Sequence, residues 1–265
     1  MLRIDNYLRA SSLAEAYDTL TSVPGSVVLG GCGYLRLGRR RIRTAIDLSQ
    51  LPLEGIAESA GTVEIGAMTT LRTIETHPLT GSLWGGVLPR ALRAIVGVQL
   101  RGCVTIGGTV AGRYPFSDPL TALVALDATV QLHHQGPVAL SEYLAARGAP
   151  DIVEKIMLPR DGRLAAFASV RRSATDFAVL NVAVARCADG FRLVVGSRPG
   201  RAMRAVLAEA SLNQHGLDRR TAIEAGRLVA EELAFGDNAR ASGAYRRAIC
   251  PVLVERALTE VLHAA

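Results

Sequence analysis

Gln99-Leu100-Arg101-Gly102-Cys103-Val104-Thr105-Ile106-Gly107-Gly108-Thr109 is the stretch on which the reading of the fold turns. A glycine pair ends an apolar, β-branched run, and a glycine lets another backbone or a ligand approach where a side chain would block it. A second such turn lies upstream at Leu29-Gly30-Gly31-Cys32-Gly33-Tyr34, directly after the β-rich Ser26-Val27-Val28-Leu29. Successive N–H groups in a turn of this kind can point into one concavity, which suits a diphosphate because it supplies donors without a fixed cation. Two such turns can grip a dinucleotide from both sides; the alternative is that both are structural strand turns. The Rossmann pattern G-x-G-x-x-G fails, because Arg36 stands where the third glycine is due, and no Gly-Lys-Ser or Gly-Lys-Thr makes a Walker loop.

Outward from these turns the elements follow from caps and periodicity. Ser12 with Glu15 three residues on marks a helix running to Leu20, and strands are expected at Thr44–Leu48 and Thr62–Ala67, with a loop from Ser49 to Gly61 between them. Helices are expected at Leu71–Glu75 and Leu88–Val96, and Asp118-Pro119 reads as N-cap and N1 of a third. Strands at Thr129–His133 and Ile152–Pro159 flank a helix start at Ser141, and a domain boundary is placed after Pro159. Beyond it come strands Ala165–Val170, Val179–Cys187 and Phe191–Gly196, the last two joined through Asp189-Gly190. Helices at Arg201–Glu209, Asp218–Leu233 and Ala244–Leu262 complete an α+β module.

Composition narrows the function classes. The 265 residues carry a formal net charge of +6, yet 29 of the 30 basic residues are Arg and Lys155 is the one Lys. The arginines are spread and aromatics make up 5%, so a stripe for nucleic acid is not indicated. The one dense run, Arg36 to Arg43, reads as a solvated loop, a contact for a partner subunit, or a contact for a cofactor phosphate. Cys32, Cys103, Cys187 and Cys250 lack the close spacing of a metal site, and five scattered histidines do not supply one. No apolar run reaches the roughly 18 residues of a membrane span, and the first residues are not a signal peptide, so a cytoplasmic protein is expected. No Ser/His/Asp or paired-carboxylate constellation stands out, and no catalytic side chain is assigned.

The order of these segments resembles the FAD-binding medium subunit of the xanthine dehydrogenase and carbon monoxide dehydrogenase family of molybdenum hydroxylases. Family motifs Ala-Gly-Gly-Thr-Asp-Leu, Ile-Asp-Leu and Ile-Gly-Ala-x-Thr-Thr correspond to Leu29–Tyr34, Ile46-Asp47-Leu48 and Ile65–Thr70. Gln-Ile-Arg-Asn-x-Ala-Thr-Ile-Gly-Gly-Asn, Ser-Pro-x-x-Asp and Leu-Asp-Ala correspond to Gln99–Thr109, Tyr114–Asp118 and Leu126-Asp127-Ala128, while Ser242–Arg247 and Pro251–Leu258 resemble the C-terminal domain. The resemblance implies an α+β fold: a two-part FAD-binding domain of the p-cresol methylhydroxylase and vanillyl-alcohol oxidase type over 1–159, with subdomains near 1–50 and 51–159. A small C-terminal domain of the CO dehydrogenase flavoprotein type, a three-stranded antiparallel sheet with helices, is expected over 160–265.

Carried over by position, the resemblance implies that Val27, Val28, Leu29, Gly30, Gly31, Cys32, Gly33 and Tyr34, with Thr105, Ile106, Gly107, Gly108 and Thr109, line the FAD diphosphate and ribityl chain. It makes Asp118 an acceptor for the cofactor, a role that can coexist with the helix cap, and Val153 an apolar wall. Ile95 is either beside the isoalloxazine or helix core. Cys32, Gly33, Gly102 and Thr109 depart from the family pattern; Ala168 stands where some relatives have a Lys, although Arg171 and Arg172 fit the basic pair. Main-chain donors survive these changes and side-chain contacts do not. Cys32 and Cys103, one in each loop, are either thiols that approach each other or compact hydrophobes.

The implied role is electron transfer from [2Fe–2S] clusters on a small partner subunit through FAD to NAD+ or another acceptor, with molybdopterin on a large partner subunit and the whole a hetero-oligomer. Alternatives are a flavin-free or weakly flavinylated scaffold subunit and a stand-alone FAD-dependent oxidoreductase.

Overall fold

The computed structural model describes residues 2–95, 97–146 and 148–264. The chain begins with β1 (Arg3–Arg9), α1 (Leu13–Ser22), β2 (Val27–Leu29), β3 (Arg41–Asp47), β4 (Ile56–Ser59) and β5 (Thr62–Gly66). Six short helices follow: α2 (Leu71–Thr76), α3 (Pro78–Ser82), α4 (Val87–Arg93), α5 (Val98–Cys103), α6 (Ile106–Gly112) and α7 (Asp118–Ala125). Then come β6 (Thr129–Leu132), β7 (Gly136–Ala139), α8 (Leu140–Ala145) and β8 (Val153–Pro159). The remainder is β9 (Leu164–Arg171), β10 (Ala178–Cys187), β11 (Gly190–Gly196), β12 (Met203–Arg204), α9 (Val206–His215), α10 (Arg219–Glu232) and α11 (Gly243–His263). Among the described residues no helix is long and apolar enough to cross a membrane.

Two compact units result, and the division does not fall at a single point of the chain. The first comprises Met1–Thr73, Val98–Gly112 and Ala128–Leu158; the second comprises Ile74–Gly97, Arg113–Asp127 and Pro159–Ala265.

In the first unit a parallel sheet runs β1-β3-β2 and a five-stranded sheet runs β4-β5-β8-β6-β7. Helix α1 starts where Ser12 Oγ accepts from Glu15 N at 3.1 Å, and Glu15 in turn accepts from the N–H and hydroxyl of Ser11. Its apolar side packs Ala16, Leu13, Tyr17 and Leu20 on Ile46, Leu48, Val28 and Ile152. Three strands arise where the sequence signals none. β1 is exposed at six of its seven positions and so lacks alternation, and β4 and β7 are four-residue pieces held by pairing with β5 and β6.

In the second unit an antiparallel sheet runs β12-β11-β10-β9, covered by α9, α10 and α11. β10 is buried at nine of its ten positions because it is central and both faces are covered. The expected three-stranded sheet gains β12 at its edge, so residues expected to open a helix at Arg201 form a two-residue strand and α9 starts at Val206. The β10–β11 turn is Ala188-Asp189, one residue earlier than expected, with Gly190 already paired to Cys187. Helix α10 opens on a capping box of Asp218 and Thr221. Arg246 of α11, fully buried, donates to the carbonyls of Val179, Gly236 and Ala241 and to Asn238 Oδ1, and so ties the preceding loop to the helix. Helix α4 ends at Arg93, and Val96, assigned to it from spacing, lies outside the described residues.

Candidate functional site

The two glycine loops come together in the first unit. Gly30 and Gly108 are packed so closely that a side-chain carbon on either would collide with the other's backbone. A carbon on Gly31 would collide with the Cys103 carbonyl, and one on Gly33 would come within 2.6 Å of Val104 Cγ2. Gly107 is likewise pressed on Ala67, where a side-chain carbon would stand 2.6 Å from Ala67 Cβ. Glycine is therefore required here for loop-on-loop packing, whatever else it serves.

The first loop leaves the carboxyl end of β2, whose Val27, Val28 and Leu29 pair with Ala45, Ile46 and Asp47 of the parallel neighbour. Ligands of parallel sheets gather at such strand ends. Gly31 and Cys32 both adopt positive φ, 75° and 55°. Cys32 holds a conformation that costs a side-chain-bearing residue energy, so its surroundings impose it. Among the described residues, the N–H groups of Gly31, Cys32 and Gly33 donate to no protein acceptor. Three successive uncommitted donors at a partly exposed turn fit the oxygens of a diphosphate. Tyr34 follows, half-buried, before a single 3₁₀ turn at Leu35–Leu37.

The second loop differs from its expected form. It is no strand turn: Val104 and Thr105 link α5 to α6, and Ile106 to Thr109 lie inside α6. Its N–H groups, expected to face a diphosphate, are used internally. Thr105 N donates to Gly30 O at 3.4 Å, Ile106 N to Thr69 O at 3.0 Å and Gly107 N to Ala67 O at 2.8 Å. Gly108 N donates to Thr105 Oγ1 at 3.1 Å, and Thr109 N to Thr105 O at 3.0 Å. What remains is the Thr105 hydroxyl proton, which no acceptor takes among the described residues, and a small, close-packed backbone surface.

Asp118 belongs to the second unit. It is not the N-cap: Ser117 is, its hydroxyl accepting from Leu120 N at 3.4 Å, because Asp118 turns inward instead. There it is 4% exposed, pairs with Arg171 of β9 and accepts from Asn181 Nδ2 of β10 at 2.6 Å. Asn181 continues the network to Thr121 and Ser197. Burial pushes the Asp118 carboxyl up, against the pull of Arg171 and Asn181. Both oxygens are already engaged, so a cofactor hydrogen bond would be a second use of one of them.

Val153 opens β8 and is buried, opposite Leu132. Ile95 lies just beyond α4 in the second unit. Cys32 and Cys103 are free thiols, as are Cys187 and Cys250. Burial, and then Asp47, push the Cys32 thiol up.

Three contributors were not assigned from sequence. The Ala67 and Thr69 carbonyls hold the second loop, and Asp47, paired with Leu29, ends β3 beside the first. Burial raises the Asp47 carboxyl, but hydrogen bonds from Tyr7 and Ser49 outweigh it and hold it below its ordinary value. All three sit in stretches whose wording carried the resemblance, Ile46-Asp47-Leu48 and Ile65–Thr70, and that was the available signal.

Residues 2–161 match the family described as the FAD-binding domain in molybdopterin dehydrogenase, and residues 165–261 match the CO dehydrogenase flavoprotein C-terminal domain. The chain is 27% identical to the glyceraldehyde dehydrogenase medium chain of Sulfolobus acidocaldarius across 97% of this chain and 98% of that one. It is also 27% identical to the carbon monoxide dehydrogenase medium chain of Hydrogenophaga pseudoflava, over 67% of each chain. The fold is similar to that in reconstituted CO dehydrogenase from Oligotropha carboxidovorans, with a TM-score of 0.89 at 23% identity, covering 99% of this chain and 98% of that one.

Proposed function

The chain belongs to the family of FAD-binding domains of molybdopterin dehydrogenases, and we propose that it is the electron-transfer subunit of a cytoplasmic, multi-subunit molybdenum hydroxylase. The observation that carries this reading is the row of uncommitted N–H groups at Gly31, Cys32 and Gly33, inside the part of the chain that matches the FAD-binding family.

In this reading the first loop binds the diphosphate through main-chain donors, and the second acts as its backstop, adding the Thr105 hydroxyl. Val27 to Leu29 fix where the first loop starts, and Val153 contributes apolar surface. The protein supplies position, shielding and electrostatics; bound FAD supplies one- and two-electron redox chemistry. No side chain of this chain is needed as a general acid or base. A [2Fe–2S] subunit delivers the electrons, a molybdenum subunit oxidises the substrate, and NAD+ or another acceptor receives the electrons.

The test is the visible spectrum of the purified chain with and without added FAD, followed by heat release and chromatography of the flavin. Flavin bands with released FAD are expected, as is rapid reduction when the reduced [2Fe–2S] subunit is added. A colourless chain that does not bind added FAD defeats the reading. It would favour a flavin-free scaffold subunit, an alternative supported by the internally engaged donors of the second loop and of Asp118's neighbours.

A further inference from the structure

The side chains of Arg36, Arg39, Arg40 and Arg43 are assigned no role in the site just described, although the Arg36 backbone N–H donates to Cys32 O at 3.2 Å. Arg36, Arg39, Arg40 and Arg43 are exposed, and none has a carboxylate partner among the described residues; Arg41 alone has one, Asp5 at 2.8 Å. Four unpaired guanidinium groups within eight residues stand out in a chain whose formal net charge is +6. In their midst Leu37 is 73% exposed, the highest value among the large exposed hydrophobic side chains described. Crowded like charges repel one another, and an exposed leucine keeps its apolar surface in water. A partner bearing carboxylates around an apolar spot relieves both, which is the anatomy of a protein interface with an apolar centre and a polar rim.

Position adds a second argument. The run begins three residues after Gly33, so whatever docks on it stands beside the loop assigned to the cofactor diphosphate. Electrons pass between carriers only over short distances, so their source must dock near the cofactor. Residues 35–43 contain no aromatic side chain on which a base could stack, which argues against single-stranded nucleic acid.

We propose that the exposed side chains of Arg36, Leu37, Arg39, Arg40 and Arg43 form the docking surface for an acidic protein partner, the [2Fe–2S] subunit that feeds electrons to this chain. The proposal rests on the reading of the chain as the FAD-carrying subunit.

The test uses the full chain co-expressed with its [2Fe–2S] and molybdenum subunits. Wild type is compared with two triple variants at Arg36, Arg39 and Arg40, one to Gln and one to Glu, and with Leu37→Asp, which keeps every arginine. Affinity of the flavin-loaded chain for the [2Fe–2S] subunit is measured at low and high salt, with FAD content and melting temperature read on the same samples. Wild-type affinity should fall as salt rises, and at low salt the Gln triple should bind roughly 10-fold and the Glu triple roughly 100-fold more weakly. Leu37→Asp should also bind more weakly, and FAD content should stay at the wild-type level in all three. Wild-type affinity in the Glu triple, or salt-independent binding by wild type, overturns the proposal. So does loss of FAD in the Gln triple, which would place these arginines in the cofactor site. Unchanged subunit binding with lost retention of a duplex DNA oligonucleotide would reassign the surface to nucleic acid. If the wild-type chain holds no FAD, or forms no complex, the functional reading fails and takes this proposal with it, a result distinct from charge-insensitive docking.

Discussion

Replacing Gly30 with alanine separates packing from ligand approach as the reason for the glycines. The added carbon would collide with Gly108 Cα and stand 3.0 Å from Gly108 N and 3.1 Å from Thr105 Oγ1. Gly30 is not among the residues with positive φ, so alanine meets no conformational penalty and the effect is purely steric. The main obstacle is backbone, so relief requires the two loops to separate and the Thr105 N to Gly30 O hydrogen bond to break. Overpacking of this kind costs about 1–3 kcal/mol. At roughly 2–4 °C per kcal/mol for a chain of this size, the FAD-free melting temperature should drop by about 2–12 °C. If the loop spacing also sets the cofactor site, the same energy raises the FAD dissociation constant about 5- to 150-fold. Scanning fluorimetry of the flavin-free chain and an FAD titration followed by flavin fluorescence read the two effects separately. Gly102→Ala is the control: nothing lies within 4 Å of the added carbon, and alanine in α5 should add up to about 1 kcal/mol of stability and leave FAD binding alone. Wild-type melting and wild-type FAD affinity in Gly30→Ala would refute the packing argument.

Three further outcomes are expected. Asp118→Asn leaves the Arg171 side chain, 10% exposed, without its countercharge and should cost about 3–5 kcal/mol in urea unfolding; a loss within the range of about 0–1 kcal/mol typical of surface pairs would contradict the shielded geometry. In mildly alkaline solution Cys103, exposed, should be alkylated first, whereas Cys187 and Cys250, which burial pushes up to about 11 and about 12, should react only after unfolding; mass spectrometry showing all four labelled at equal rates in the folded chain would count against this. Hydrogen bonds from Arg163, Arg240 and Arg192 hold Asp161, Asp176 and Asp189 below the usual carboxylate range. On acidification the unfolded chain takes up these protons first, so their contribution is complete above the unfolded value of about 3.9 and lost as pH falls through the folded values. Asp118, raised by burial, runs the opposite way and offsets part of it; a melting temperature that does not fall on acidification through this range would show that the three pairs do not outweigh Asp118.

Elements with local signals were legible from sequence. The cap at Ser12 marks the start of α1, α10 and α11 begin within one residue of the starts expected at Asp218 and Ala244, and the β-rich runs of β9 to β11 lie within a residue or two of where they were expected. The sequence shows these because each depends on residues a few positions apart: a side-chain oxygen reaching the third N–H, or a run of β-branched residues. β1, β4, β7 and β12 were not legible, since short or exposed strands exist only through their partners' hydrogen bonds.

The site divides along the same line. Glycine content and motif order were enough to mark Gly30 to Gly33 and Gly107 to Gly108 as the place where something approaches the backbone. Only the tertiary structure decided that the first loop keeps its donors while the second surrenders them to Ala67, Thr69 and Gly30. It also turned Asp118 from a helix cap into the partner of Arg171 and Asn181, 53 and 63 residues further along the chain. A hydrogen-bond donor is an intrinsic property of a residue and can be read in one dimension. Whether it is free depends on which carbonyl or carboxylate the rest of the chain brings within 3 Å, and that is fixed only when the chain folds.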